Sequence, residues 1–191
     1  MTTAVTRLTL VRHAPTAATW RAAFPADEPP EPSSFVPARE LAARLGRCDE
    51  AWSGPAASAR ETAAAMGLGA FTIDGALDDA HPGAWRGRSL AALERAEPDA
   101  LQAWLTDPAF RPPGGGESVD DVLARVRGWL DERAASGVRI VAVTSAIVIR
   151  AAVAHAMLAP SPAVWRIDVS PLSRTILHAR GGVWTVRGVN L

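Results

Sequence analysis

The stretch VTRLTLVRHAPT, residues 5–16, decides how the rest of the chain is read. Residues 5–11 are rich in β-branched and aliphatic residues, the composition of a strand buried inside a sheet. Arg12 and His13 then stand side by side where the strand ends. Pro15 and Thr16 follow in a turn that can aim backbone N–H groups at an anion. The guanidinium of Arg12 offers a planar fork of donors suited to phosphate, and a neutral imidazole at His13 can attack phosphorus or carry a proton.

Working outward, RIVAVT at 139–144 is a second short apolar run of the same kind. Between the two, residues 49–53 and 70–74 are predicted strands, each following a predicted helix at 37–46 and 56–67. Residues 89–106 and 118–135 read as further helices, the second with Val119, Val122, Val126 and Leu130 at helical spacing. A helix follows Ser145. Near the end come three strand-like runs, VWRIDV (164–169), SRTILHA (173–179) and GVWTVRGV (182–189). Pro171 breaks the series, and Gly181-Gly182 can turn a hairpin. The order β-α-β-α-β-α-α-β-α-β-β predicts a three-layer α/β sandwich with a mostly parallel central sheet and helices on both faces. Ligands of such sheets bind beyond the carboxyl ends of the strands, where Arg12 and His13 lie.

The 191 residues suit a single domain spanning 1–191, and 48% hydrophobic with 21% charged residues is ordinary for a globular chain. Twenty basic residues balance twenty acidic ones, so no net field recruits nucleic acid or a membrane surface, and any anion site must be built locally. Cys48 alone excludes an intrachain disulfide framework. The four histidines show no metal-ligand spacing, so neither metal nor cofactor is expected. No stretch is apolar enough to span a bilayer, the opening residues do not read as a signal peptide, and a cytoplasmic location is expected. A homodimer is compatible with all of this.

Five segments in order resemble the histidine phosphatase superfamily, the phosphoglycerate-mutase-like group, and within it the small phosphatases similar to α-ribazole phosphatase. VRHAPT resembles the family's Arg-His-Gly-x-Thr signature, with Ala14 in place of the glycine. SGPAASARETAAAMG (53–67) resembles a segment that carries a second arginine, and LDDAHPGAWRGRSL (77–90) the one that carries a proton donor. GGGESVDDVLARV (114–126) resembles a Gly-Glu-Ser loop and its helix, and VTSAIVIRAA (143–152) a Val-x-His-Gly-Gly-Val-Ile-Arg segment.

The resemblance implies a phosphohistidine mechanism: a nucleophilic histidine takes the phosphoryl group, basic residues hold its oxygens, a carboxylic acid protonates the leaving alcohol, and water frees phosphate. Carried over residue by residue, the nucleophile is His13, the first arginine Arg12 and the acid Asp79, with Asp78 at a variable position. Thr16, Arg86, Glu117 and Ser118 fall on the substrate side. The second arginine falls on Ser58 and the second histidine on Ser145. Arg60, two places past Ser58, is about 200° around a helix and so on another face. His81, Arg86 and Arg88 share the acid loop and could supply a missing positive charge. Trp85 could wall the site, and residues 24–37, rich in proline and acid, are expected as an irregular loop over it.

His155 lies about 15 Å along the helix after Ser145, and His178 sits in a late strand; both are expected to be structural. Ser145 lacks the Gly-x-Ser-x-Gly elbow of a serine hydrolase. The expected partner is a small anionic molecule. Three readings follow: a phosphomonoesterase of weakened or narrowed activity; an enzyme repurposed for a biosynthetic pathway with His13 and Asp79 as an acid/base pair; and a catalytically inactive binding protein.

Overall fold

The computed structural model describes residues 4–191, so residues 1–3 of the expected domain, and with them part of the reading of the opening segment, lie outside it. The sheet has six strands: β1 (Val5–Arg12), β2 (Glu50–Ser53), β3 (Thr72–Ile73), β4 (Arg139–Thr144), β5 (Arg174–Arg180) and β6 (Val183–Gly188), in the order β3-β2-β4-β1-β5-β6. The first four run parallel, and β5 and β6 are antiparallel additions beyond β1. Pairing on both edges makes β1 central, in keeping with the burial of Leu8, Leu10 and Val11 along it.

Alternation along the strands feeds a core on each face. Leu8, Leu10, Ile140 and Ala142 point to one side, where they meet α6 (Val119–Arg133) and α7 (Ala146–Ala156) through Val122, Val126, Leu130, Val148 and Ile149. Val11, Val141 and Val143 point to the other, against Ala38 of α2 (Phe35–Ala43) and Ala59 and Ala63 of α3 (Ala57–Ala65). Each fully buried Leu or Ile contributes roughly 1.5–3 kcal/mol. The three-layer α/β architecture expected from the element order is therefore what the chain forms.

Several elements differ from expectation, each for a local reason. The helix expected over 89–106 is broken into α4 (Leu90–Ala96) and α5 (Pro98–Thr106), because Pro98 cannot continue a helix and pushes Glu97 to φ −143°, ψ 54°. The strand expected over 164–169 does not form. Ser161–Arg166 is a 3-10 turn opened by prolines, and the carbonyls of Ile167 and Val169 accept side-chain donors instead of strand partners. The strand expected over 70–74 shrinks to Thr72–Ile73. The predicted hairpin joins β5 to β6 through Gly181 and Gly182, whose positive φ angles of 58° and 81° suit the twist of a two-residue turn. Residues 24–37 form an irregular crossing that ends in a 3-10 turn at Pro32–Ser34 and then enters α2, preceded by the short α1 (Ala17–Trp20).

A smaller apolar cluster of Trp85, Leu93 and Leu101, with Phe24, Trp104 and Phe110 packed against it, is separate from the two main cores. No helix among the described residues is long and apolar enough to cross a membrane.

Candidate active site

Beyond the carboxyl ends of β1 and β4 lies a cleft of about 560 Å³, with His13 and Arg12 in its wall. The position of His13 follows from the sheet. Its backbone N–H donates to the Thr144 carbonyl at 2.9 Å, extending the β1–β4 ladder by one residue before the chain turns. Ala14 is then pinned from the opposite side: its N–H donates to Thr62 Oγ1 at 3.0 Å, and that hydroxyl donates to the Ser58 carbonyl at 2.6 Å. A threonine on α3 therefore ties the turn after β1 to the helix.

The His13 ring is oriented by its own backbone. Nδ1 lies 2.8 Å from the Ala14 carbonyl, which can only accept, so Nδ1 carries the proton and Nε2 keeps its lone pair. Burial lowers the imidazole pKa below its ordinary value. The Ala14 carbonyl and the negative charge of Asp79 act the other way, and Arg12 adds to the lowering. The result is a neutral imidazole with a free nucleophilic nitrogen.

Arg12 Nη1 donates to the Val169 carbonyl at 2.6 Å. Across the cleft wall Arg150, in the second turn of α7, donates from Nε to the Ile167 carbonyl at 2.9 Å and sits 6.0 Å from the ring centre of Trp165. Both arginines line the cleft. Arg150 was quoted in the motif at 143–152 without a role. Its helical position, five residues after Ser145 and a little over one turn on, was the available signal.

The acid loop is held by close backbone packing. Leu77 ends a 3-10 turn capped by Asp74, and its carbonyl accepts Thr144 Oγ1 at 2.6 Å. The same carbonyl lies 2.4 Å from where a side chain on Gly54 would begin, so only glycine fits there. Further along, Gly83 has φ +56°, and a Cβ would fall 2.2 Å from the Pro113 carbonyl. Arg125 on α6 joins the two loops: it donates to both oxygens of Glu117 at 2.7 and 2.9 Å, and to the Ala76 and Asp79 carbonyls at 2.7 and 3.2 Å. The sequence reading missed Arg125, whose helical position looks like one solvated arginine among several.

Asp78 and Asp79 both line the cleft, and the charge of Asp79 acts on His13, Arg12 and Arg150 together. Asp79 Oδ1 accepts the Ala80 N–H at 2.8 Å. The Asp78 carboxyl is raised above its usual range by burial, and the neighbouring charges of Asp79 and Glu117 add to the rise.

The other sequence-predicted residues divide into those at the cleft and those away from it. Thr16, Ser58, Arg86 and Glu117 line it. Thr16 also caps α1 and donates to Glu28 Oε1 at 3.1 Å. Burial would raise the Glu28 carboxyl, but the N–H groups of Ala26, Glu28 and Ala18 and the Thr16 hydroxyl outweigh it and hold the carboxyl low. Ser118 caps α6, with Oγ receiving the Asp121 N–H and donating to Asp121 Oδ2 at 2.7 Å. It is absent from the cleft wall.

Ser145 precedes α7, and its hydroxyl makes no capping bond. The residue is 5% exposed, its hydroxyl has no hydrogen-bond partner among the described residues, and it is not among the residues that line the cleft. Of the loop cations, Arg86 is exposed at the rim and His81 lines the rim, while Arg88 pairs with Glu97. Glu97 also accepts Trp85 Nε1 at 3.0 Å. Trp85 is fully buried, so the aromatic wall of the cleft is formed by Phe24, Trp104 and Trp165. These rings continue inward as a ladder, Trp165–Trp104 at 4.7 Å, Trp104–Phe24 at 5.2 Å and Phe24–Trp85 at 5.3 Å. Asp27, in the left-handed region at φ 68°, reaches across the entrance to accept the Ala57 N–H at 2.8 Å at the start of α3.

Arg12 ends the central strand with His13 just after it, and Asp79, from the loop after the 3-10 turn at Gly75–Leu77, lines the same cleft. Residues 8–191 match the histidine phosphatase superfamily, branch 1. The chain belongs to this superfamily. Among its relatives, bifunctional protein Rv2228c of Mycobacterium tuberculosis is 33% identical over 156 residues, 78% of this chain and 42% of that protein. The chain therefore spans under half the length of the curated relatives it matches. Mycobacterial glucosyl-3-phosphoglycerate phosphatase Rv2419c superposes with a TM-score of 0.86 at 25% identity, covering 97% of this chain and 99% of that one. A putative alpha-ribazole-5'-P phosphatase from Escherichia coli K-12 shares the fold, with a TM-score of 0.85 at 21% identity over 97% and 96% of the two chains. In this histidine phosphatase superfamily member, His13 and Arg12 sit at the end of the central strand, where the motif resemblance put them.

Proposed function

We propose that the protein is a phosphoric monoester hydrolase of narrow scope that acts on a small phosphorylated metabolite through His13. The observation that carries this reading is the tautomer of His13: Nδ1–H is committed to the Ala14 carbonyl, leaving Nε2 unprotonated in the cleft. Membership of the superfamily supports it. In the first step Nε2 attacks phosphorus, the ester P–O bond breaks, and Asp79 serves as general acid, passing a proton to the departing oxygen. In the second, Asp79 as carboxylate takes a proton from water, whose oxygen attacks the phosphohistidine. The N–P bond then breaks, phosphate leaves, and His13 returns to its neutral form. Arg12 neutralises the phosphoryl oxygens throughout.

The narrowed scope is supported by the two serines. By the family resemblance Ser58 and Ser145 stand where a second arginine and a second histidine belong, and the Ser145 hydroxyl is buried without a partner among the described residues. Losing one donor to a developing anion costs about 10²–10³ in rate. Turnover of generic esters should accordingly be slow. The test is a panel of phosphomonoesters assayed with wild type and His13→Ala. Slow turnover abolished by the substitution, with a ³²P-labelled phosphohistidine trapped on wild type, supports the reading; turnover that survives the substitution refutes it.

A second reading, an enzyme repurposed for a less charged substrate with His13 and Asp79 as acid and base, is favoured by one observation. Asp27, Glu28, Asp78, Asp79 and Glu117 all line the cleft against the arginines Arg12, Arg86 and Arg150. Absence of turnover across the phosphoester panel, with the fold intact, would favour it.

A further inference from the structure

Arg12 and Arg150 come from different elements, yet both are anchored to the same irregular segment. Arg12 donates to the Val169 carbonyl and Arg150 to the Ile167 carbonyl, two residues away. This brings the two guanidiniums together on the cleft wall, each half-buried. Each has used one donor to fix its position. Neither has an ion-pair partner among the described residues. Arg12 Nε is fully buried and donates to nothing. Partly desolvated like charges repel, and an unsatisfied buried donor is costly, so a pair of this kind is built for an anion that lies against both.

The neighbouring carboxylates leave that place open. Asp79 and Asp168 act on the pair only from beyond contact distance, and Asp79 is the residue assigned above to proton transfer. Trp165 covers the outer side of Arg150. On the α3 side of the cleft no cation lines the wall among the described residues: Ser58 lines it, and Asp27 occupies the N–H of Ala57.

We propose that Arg150 is the second cation of the phosphate subsite, so that a phosphoryl group at His13 is held between Arg12 and Arg150. This rests on the phosphoester reading for its substrate, though not for the anion site itself. The positive charge that the resemblance assigns to the position of Ser58 is thereby supplied by α7. The ligand class is a phosphate monoester, or an oxyanion of the same shape. The arginine that clamps it approaches from the side of Trp165, which leaves the α3 side of the phosphoryl group contacted by neutral donors alone.

The test uses inorganic phosphate and orthovanadate as probes, with the full chain and calorimetric titration. Arg150→Met is expected to weaken phosphate binding about ten-fold or more, and Arg150→Lys to restore part of it, since a charged hydrogen bond is lost in the first and a point charge returned in the second. Circular dichroism melts check that each variant is folded. Independently of any variant, the Nε–H resonances of both Arg12 and Arg150 should move when phosphate is added to wild-type protein. Binding unchanged within two-fold in folded Arg150→Met, a titration that moves only the Arg12 resonance, or wild-type protein that binds neither probe each overturns the assignment. The hydrolase reading fails separately. Arg150-dependent phosphate binding with no ester turned over removes that reading and keeps this one. Turnover that depends on His13 while phosphate binding ignores Arg150 does the reverse.

Discussion

Thr62 Oγ1 accepts the Ala14 N–H at 3.0 Å while donating to the Ser58 carbonyl at 2.6 Å, so a single buried hydroxyl links the turn carrying His13 to α3. Thr62→Val removes the acceptor and leaves the Ala14 N–H unpaired. The expected cost is about 1–3 kcal/mol of stability, read from urea unfolding. Because the Ala14 carbonyl orients the His13 ring, kcat against a responsive ester should fall more than KM rises, and Thr62→Ser should recover both. A Val variant with wild-type kcat would show that the ring is held by something else.

The lowered His13 pKa makes a signed prediction about pH. Its unfolded-state pKa is about 6.5, and burial places the folded value below that. Above about 6.5 both states are neutral and His13 adds no pH dependence. As pH falls below it, the unfolded chain takes up the proton first, so stability is lost through the window down to the folded pKa. The fall in urea midpoint between pH 8 and pH 5 should therefore be smaller in His13→Asn than in wild type. The nucleophile stays neutral over the same window, which keeps kcat/KM high into mild acid. An NMR titration of His13 with its midpoint at or above 6.5 would contradict both statements.

Ser58→Arg combined with Ser145→His should widen the substrate range. Each introduced cation is worth on the order of 10²–10³ in rate if it reaches the phosphoryl group, although groups acting as one unit do not add. An arginine at position 58 enters a cleft that Asp27 also lines. The double variant is expected to turn over 4-nitrophenyl phosphate at least 10²-fold faster than wild type, and Asp27→Asn should increase the gain. A folded double variant that stays inert would mean that the pocket differs by more than two side chains.

Arg125 is expected to act through Asp79 without touching substrate. It bonds the Asp79 and Ala76 carbonyls and both oxygens of Glu117. Arg125→Met frees the acid loop and leaves Glu117 without its partner, at a cost of about 1–3 kcal/mol for a half-buried charged hydrogen bond. The distinguishing readout is the leaving group. Esters of poor leaving alcohols, which need Asp79 as acid, should lose far more kcat than 4-nitrophenyl phosphate, which does not. Equal losses on both would indicate general loosening of the fold.

How much of this is legible in the sequence depends on how local each signal is. The layers follow from residues 5–11 and 139–144, whose β-branched and aliphatic composition suits buried strands, and the hairpin from Gly181-Gly182. Arg12 and His13 were visible because a strand end is a local feature. The run 164–169 has the composition of a strand, but the donors that claim its carbonyls, Arg12 and Arg150, lie far away in sequence. For the same reason Arg150 itself was overlooked. Whether an arginine in a helix meets solvent or a cleft depends on a wall built from other segments. Trp85 and Ser118 belong to the acid and Gly-Glu-Ser loops as expected, yet their polar atoms are taken by Glu97 and Asp121, a matter of packing that spacing does not encode.

The ring ladder that ends at Trp165 and Trp104 also makes the cleft optically legible. Only these two of the seven tryptophans line the cleft. Their indoles sit edge to face at 4.7 Å, and Arg150 lies 6.0 Å from the outer one. A molecule settling against that wall changes the polarity around the pair and hence its emission, whether or not any bond is broken. Fluorescence of the unmodified protein can therefore rank metabolites by occupancy, so the natural ligand can be sought without first knowing the reaction.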